Sequence, residues 1–356
     1  MRAAVLRALG DLRIEERPVP VPGPGEALVR VTVCGVCGTD AVEFDRGLLS
    51  SPPVVLGHEF TGVVERLGEG VSEPPVGATV VCGAGISCGT CRQCQRGRTN
   101  LCRTYRTAGF QADGGLAGYV AVPAGILLDV TDAGLADDTL ALAQPMSIAV
   151  HVVRRSGLAA GDEAVVVGIG GIGAFIVLAA AATGARVTAV ARDPERLALA
   201  TRLGAADGVL AGGMPLAEAL RERGVEPDVL FEVSASPEGL AEVLQAAPRG
   251  AVIVPVGVQK EPTAVMLRDW TLREYSVVGS VAHVFADDMP EAVRLLATRE
   301  DWSDVASEVL PLDLLLERGL RPLLEGRSTQ IKTLVDPWID EPRPAAHRRA
   351  EHPRAD

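Results

Sequence analysis

The chain has 356 residues, room for about two domains at roughly 100–200 residues each, and its 47% hydrophobic and 22% charged composition excludes a disordered chain. With 34 basic against 46 acidic residues the formal charge is −12, and aromatics are only 3%; a large basic patch, a base-stacking platform and nucleic acid as the main partner are therefore not expected. The acidic balance also disfavours docking on an anionic membrane.

The opening MRAAVLRALGDLRIEE carries a charge every few positions and lacks the unbroken apolar stretch of a secretory signal. Residues 1–125 read as β-rich, with short β-branched runs at 27–33, 61–66, 79–81 and 118–122 between Gly and Pro clusters. From about 150 to 280, strand-like runs at 163–167, 186–190, 229–233 and 251–256 alternate with Ala/Leu-rich helical stretches at 173–183, 194–203 and 237–247. That alternation marks βαβ units and a parallel sheet. The apolar run 164–182 contains Gly168, Gly170, Gly171 and Gly173 and reads as strand, glycine turn and buried helix rather than a membrane span, so a cytoplasmic protein is expected. Helical stretches around 289–297 and 312–324 and a strand-like IKTLV follow. The last twenty residues, 337–356, are polar, Pro-rich and aperiodic, and a flexible tail is expected there.

All seven cysteines lie in the first third, and their odd number argues against a disulfide framework. Cys88, Cys91, Cys94 and Cys102 form C-x2-C-x2-C-x7-C, a spacing that closes a tetrahedral zinc site. The Gly, Arg, Gln and Asn between them bury almost nothing, so structural zinc would supply much of the lobe's folding free energy. An iron–sulfur cluster is a rival, although Arg103 stands where the usual Pro would follow Cys102, and free thiols are another. Upstream lie Cys37 in VCGVCGTD and His58-Glu59 in VLGHEFTG. Cys34 and Cys37 also spell a redox C-x-x-C, but without the βαβ context, and any one of these residues alone reads better as an ordinary buried residue than as a ligand.

Gly168, Gly170, Gly171 and Gly173, with Ile172 between, match G-x-G-x-x-G. A lone match is weak; here it follows the strand-like EAVVV and opens the helical AFIVLAAAAT, the context that dinucleotide binding requires. The pyrophosphate would sit on the helix N-terminus, where glycines let the backbone approach.

GVCGTD, then GHEFTGVV about twenty residues on, then the four-cysteine loop and the dinucleotide fingerprint resemble the zinc-dependent medium-chain alcohol dehydrogenases. The resemblance runs to about Val335 and fits the polyol, threonine and butanediol dehydrogenase branch, with FEVSASPEGL and LREYSVVGS in keeping. It implies an α/β fold. A β-rich GroES-like catalytic domain (1–148 and 286–336) would surround a Rossmann doubly wound parallel-sheet domain (149–285), with the active site in the cleft between them. It also implies a catalytic zinc held by Cys37 and His58, with Glu59 as ligand or close neighbour, beside the structural zinc of the cysteine lobe. The family's EP or DP segment reads Ala143-Gln144-Pro145-Met146 here, so Gln144 takes the remaining ligand position. Its neutral amide oxygen is a weaker ligand than carboxylate or thiolate, but related sugar dehydrogenases carry Gln there.

Thr39 falls where the family places the hydroxyl that takes the alcohol proton. Val42 stands where many relatives have a His, leaving water, the cofactor ribose or Glu59 to carry the proton out, and Asp40 is expected to order the turn. In NAD-preferring relatives an Asp ends the second strand; RVTAVARDPERL places Ala191 there, followed by Arg192. Losing a carboxylate and gaining a guanidinium favours the 2′-phosphate of NADP. NAD stays open should Asp193 bind the ribose. The implied activity is hydride transfer between NAD(P) and the secondary alcohol or ketone of a polyol, sugar, cyclitol or hydroxy-amine. Aldose 1-dehydrogenase is the alternative, and a silent NAD(P)-binding relative is the reading from another class. A zinc-free quinone reductase would lack the cysteine lobe. Expected partners are a small polar substrate and copies of the chain, as a homodimer or homotetramer. Residues 43–49, Ile86 and His283 are further candidates to face the substrate.

Overall fold

The computed structural model describes residues 1–259 and 262–347. The chain divides into two compact units, one from Met1–Ser147 with the chain from His283 onward, the other Ile148–Ala282.

In the first unit the central strand is Glu26–Val36, whose alternate residues Val29, Val31 and Val33 are all buried. It pairs antiparallel with Glu59–Leu67, Tyr119–Pro123 and Thr333–Asp336. Two of these registers build the site. Gly35 opposite Glu59 sets the end of one strand beside the start of the next, so Cys37 and His58 meet. Val36 opposite Thr333 adds Lys332 to the same end of the sheet.

The second unit carries a six-stranded parallel sheet. Its spatial order is Asp207–Leu210, Arg186–Ala191, Glu163–Val167, Val229–Glu232, Val252–Pro255, Ser276–Val277. Relative to the sequence this is the doubly wound order 3-2-1-4-5-6, whose reversal at the first strand opens a ligand crevice at the strands' carboxyl ends. Val165 and Val166 of that strand are fully buried, as a strand covered on both faces requires.

Two expectations need correction. The stretch 312–324 is not one helix but a 3-10 turn (Leu312–Leu314), a π turn (Leu315–Leu320) and a short α turn (Arg321–Leu324), with Gly319 and Pro322 interrupting regular hydrogen bonding. Residues 337–347 are docked rather than flexible. Arg343–Pro344 adds a strand to Glu308–Pro311. Arg343 makes a bidentate pair with Asp138 at 2.7 and 2.9 Å, and the Trp338 indole donates to the Val31 carbonyl at 2.7 Å. His347 is buried, its ring nitrogens 3.0 Å from Thr139 Oγ1 and 2.6 Å from the Ala306 carbonyl. These are specific polar anchors, which no hydrophobic periodicity announces. Residues 348–356 of the expected tail lie outside the described residues. Arg343→Ala, which leaves the buried Asp138 carboxylate short of its partner, should cost about 1–3 kcal/mol, read by thermal unfolding.

Candidate functional site

Cys37 caps the helix Gly38–Asp45, its N–H donating to Asp40 Oδ2 at 2.8 Å, and Thr39 Oγ1 lies 3.5 Å from its sulfur. Asp40, fully buried, turns its other oxygen toward His58 Nδ1 at 3.4 Å, while Phe110 packs against the imidazole at 5.0 Å. Asp40 therefore orders the turn and the ring together, as a carboxylate behind a metal-binding histidine does. The donor atoms of Cys37, His58 and Glu59 all lie within 4.8 Å of one another. Burial alone would lower the His58 pKa, but the neighbouring Asp40 carboxylate, and after it Cys37, raise it well above its ordinary value. The pocket favours a cation, and thiolate, imidazole and carboxylate are donors that suit zinc.

Lys332 is a residue of this site that sequence reasoning missed. Its Nζ lies 2.6 Å from each Glu59 carboxylate oxygen and donates to the Val36 carbonyl at 3.3 Å, with the side chains of Lys332 and Glu59 only 4% and 1% exposed. Burial opposes its charge, yet Glu59 and Cys37 raise its pKa above the ordinary value. Gly35 leaves room for this pair, since a Cβ there would stand 2.5 Å from Glu59 Oε2. A signal was present: in a chain whose basic residues are otherwise arginines, Lys260 and Lys332 are the lysines, and Lys332 interrupts an apolar run.

Gln144 is buried in the first turn of the helix Ala143–Ser156. Its carbonyl accepts the Ser147 hydroxyl at 2.6 Å, and among the described residues its side-chain amide has no hydrogen-bond partner. His283 is buried, one ring nitrogen against Ser147 and the other 2.7 Å from the Gly83 carbonyl, and so is held by the protein rather than presented to a substrate. Glu43 is likewise spent, accepting the Leu49 and Ser50 N–H groups at 2.7–3.0 Å. That ties down the loop on which Leu48 and Leu49 are exposed. Burial, then Asp40 and Glu59, push the Cys34 thiol well above its ordinary range, the reverse of what a redox C-x-x-C requires.

The sulfurs of Cys88, Cys91, Cys94 and Cys102 also lie within 4.8 Å of one another. The Cys91 N–H donates to the Cys88 sulfur and the Cys88 N–H to the Cys102 sulfur, both at 3.3 Å. The Thr90 backbone and hydroxyl draw the Cys88 thiol down to about 5, whereas burial and the neighbouring thiols push Cys94 up to about 11. Four sulfurs so close ionise together only around a cation, and the set fits tetrahedral zinc.

In the second unit Gly168 has φ +100° and backs onto Ser234, and a Cβ on Gly173 would stand 1.9 Å from the Gly168 carbonyl. Gly170, the N-cap of the helix Gly171–Ala182, faces open space, so a pyrophosphate can approach the helix N-terminus over Gly170, Gly171 and half-buried Ile172. Ala191 ends the second strand and Arg192 is exposed beyond it. Asp193 is already engaged, capping the helix Pro194–Arg202 by accepting the Glu195 N–H at 2.9 Å.

Residues 23–132 match the alcohol dehydrogenase GroES-like domain and residues 171–298 the zinc-binding dehydrogenase domain. The chain is 31% identical to the (R,R)-butanediol dehydrogenase of Bacillus subtilis, over 95% of its own length and 100% of that protein. Among solved structures, a zinc-binding dehydrogenase from Sinorhizobium meliloti bound to NADP superposes with a TM-score of 0.88 at 32% identity, covering 94% of this chain and 99% of that one. An alcohol dehydrogenase (rspB) from Escherichia coli complexed with NADH superposes with a TM-score of 0.87 at 29% identity, over the same shares of each chain. The chain belongs to the zinc-dependent medium-chain alcohol dehydrogenase family. It is an NAD(P)-dependent alcohol oxidoreductase with a GroES-like and a Rossmann domain. Among the described residues, no helix is long and apolar enough to cross a membrane.

Proposed function

We propose that the enzyme interconverts a secondary alcohol of a small polyol, sugar, cyclitol or hydroxy-amine with its ketone, preferring NADP. The observation that carries this reading is the convergence of Cys37, His58 and Glu59 donor atoms within 4.8 Å. Cys37 and His58 hold the catalytic metal, and the free amide of buried Gln144 supplies a further oxygen, with Glu59 tethered beside it by Lys332. Cys88, Cys91, Cys94 and Cys102 hold the structural one. When bound, zinc would supply the Lewis acidity that acidifies a substrate hydroxyl at neutral pH, and a nicotinamide cofactor would supply the hydride acceptor. Thr39 Oγ1 is the side chain that receives the hydroxyl proton. With Val42 where many relatives carry a histidine, that proton leaves through water, the cofactor ribose or Glu59. The presence of Cys37, His58 and Glu59 together argues against a silent cofactor-binding relative.

NADP is favoured because Ala191 offers no carboxylate to a ribose, Asp193 is committed to its helix cap and Arg192 is exposed. Arg192→Ala should therefore lower kcat/KM for NADP at least about tenfold and leave NAD nearly unchanged, since a charge-assisted contact contributes about 1.5–3 kcal/mol. Steady-state kinetics with both cofactors over a panel of polyols, hydroxy-amines and aldoses reads this directly. Turnover confined to aldoses would move the assignment to anomeric oxidation. No turnover over the panel by protein with both metals bound would return it to the silent relative.

The enzyme also self-associates in this reading, as a dimer or tetramer. Ser276–Val277 is an edge strand, and on the adjacent helix Leu267–Arg273 no residue is buried. Met266, Leu267, Leu272 and Val277 are exposed there, an apolar edge that a second copy would cover.

A further inference from the structure

Residues 337–347 lie beyond the stretch that resembles the family, yet their last few residues are fastened at one particular place. Arg343 and the Ala346 N–H both reach the buried Asp138 carboxylate, the latter at 2.6 Å. His347 engages the next residue along. Its Nδ1 lies 3.0 Å from Thr139 Oγ1, and the same hydroxyl is 3.2 Å from the His347 carbonyl. Nε2 donates to the Ala306 carbonyl at 2.6 Å, since a carbonyl only accepts. Asp138 and Thr139 belong to the short helix Asp137–Leu140, which runs without slack into the helix that carries Gln144. The Leu142 N–H donates to the Thr139 carbonyl at 3.0 Å, and the Met146 N–H to the Leu142 carbonyl at 3.1 Å. Leu140, Leu142, Ala143 and Met146 are all buried. Between the two helices the Ala141 carbonyl passes beside Gly35, 3.5 Å from where a Cβ there would stand, a position that Glu59 also borders.

We propose that residues 337–347 form a strap that sets the position of Gln144 at the metal site, with His347 as a positioning residue. The proposal deepens the reading above, on which it rests, that Gln144 supplies an oxygen to the catalytic metal. A neutral amide is a weaker ligand than a thiolate, so its contribution depends more on being held in place. Ligands act as a set only within about 0.5 Å of the productive geometry. A ligand in the first turn of a helix moves with the segment that leads into it, and here that segment is clamped at Asp138 and Thr139. The other footing of His347 belongs to the same site. Beside Ala306, the Val305 carbonyl accepts the Lys332 N–H at 3.0 Å, and Lys332 holds Glu59. His347 therefore ties the approach to Gln144 to the segment that supports Glu59. Docking for stability alone is served elsewhere, by the Trp338 indole on the Val31 carbonyl.

Zinc affinity tests this, measured by chelator competition on the full chain with the cysteine lobe filled and occupancy read by emission spectroscopy. His347→Ala should weaken zinc at Cys37 and His58 about tenfold, the loss typical when the support of a metal ligand is removed, and leave the lobe zinc in place. Gln144→Ala should weaken it at least as much. The double variant should be no weaker than Gln144→Ala alone, because the strap acts through that residue. Should His347→Ala fail to fold, Thr139→Val breaks the same contact with an isosteric side chain. Trp338→Phe, which loses the anchor on Val31, should lower the melting temperature and keep full zinc affinity. Losses that add in the double variant, or an equal loss in Trp338→Phe, overturn the strap's action on Gln144. Unchanged affinity in both His347→Ala and Thr139→Val, with a loss in Gln144→Ala, overturns the strap and leaves Gln144 as a ligand. Unchanged affinity in Gln144→Ala overturns that ligand reading and the strap with it.

Discussion

Cys37→Ser is expected to abolish hydride transfer, lowering kcat/KM on the order of a thousandfold or more, because several kcal/mol of charge stabilisation disappear with the metal. The fold should survive. The N–H of residue 37 still donates to Asp40 Oδ2, and the strand registers that form the pocket do not involve the thiol. Zinc content should fall by one ion per chain while the cysteine lobe stays filled and dinucleotide binding by the Rossmann unit persists. Emission spectroscopy and cofactor fluorescence quenching on the same preparation separate these effects. A variant with full zinc and full turnover would remove Cys37 from the site.

Lys332→Met should cost the metal-free protein about 3–5 kcal/mol, because Glu59 is left as an uncompensated carboxylate with its side chain 1% exposed. The same change releases both Glu59 oxygens toward Cys37 and His58. Zinc should then restore more stability to the variant than to the wild type, since a ligand bound by the native state alone stabilises it according to its affinity. Melting chelator-stripped and zinc-reconstituted samples side by side measures both effects. Lys332→Arg, which keeps the charge but crowds the space beside Gly35, should fall between the two. Identical melting of Lys332→Met and wild type in both states would mean that the ion pair does not position Glu59.

What could be read from the sequence was local. The cysteine lobe and the glycine fingerprint each bring their residues together within a single short segment, so spacing alone announced them. Cys37 and His58-Glu59 were visible as two separate motifs, but their meeting depends on the register that sets Gly35 opposite Glu59. Lys332 stands 273 residues from Glu59 and arrives through a third strand. No pattern in IKTLV states which strand it will join. The docking of residues 337–347 escaped for a related reason, since Trp338, Arg343 and His347 are anchored by hydrogen bonds to distant groups rather than by a buried apolar stripe. Asp193, a carboxylate placed in sequence where it could read a ribose, also caps its own helix, a local role that the motif by itself does not announce.

The most direct measurement is the zinc content per chain of protein purified without added metal, repeated after zinc is added and the excess dialysed away. Two ions per chain are expected, one for each of the donor sets that converge within 4.8 Å. A single ion before and after reconstitution, retained in full by Cys37→Ser, would contradict a metal at Cys37 and His58 and leave only the cysteine lobe as a zinc site.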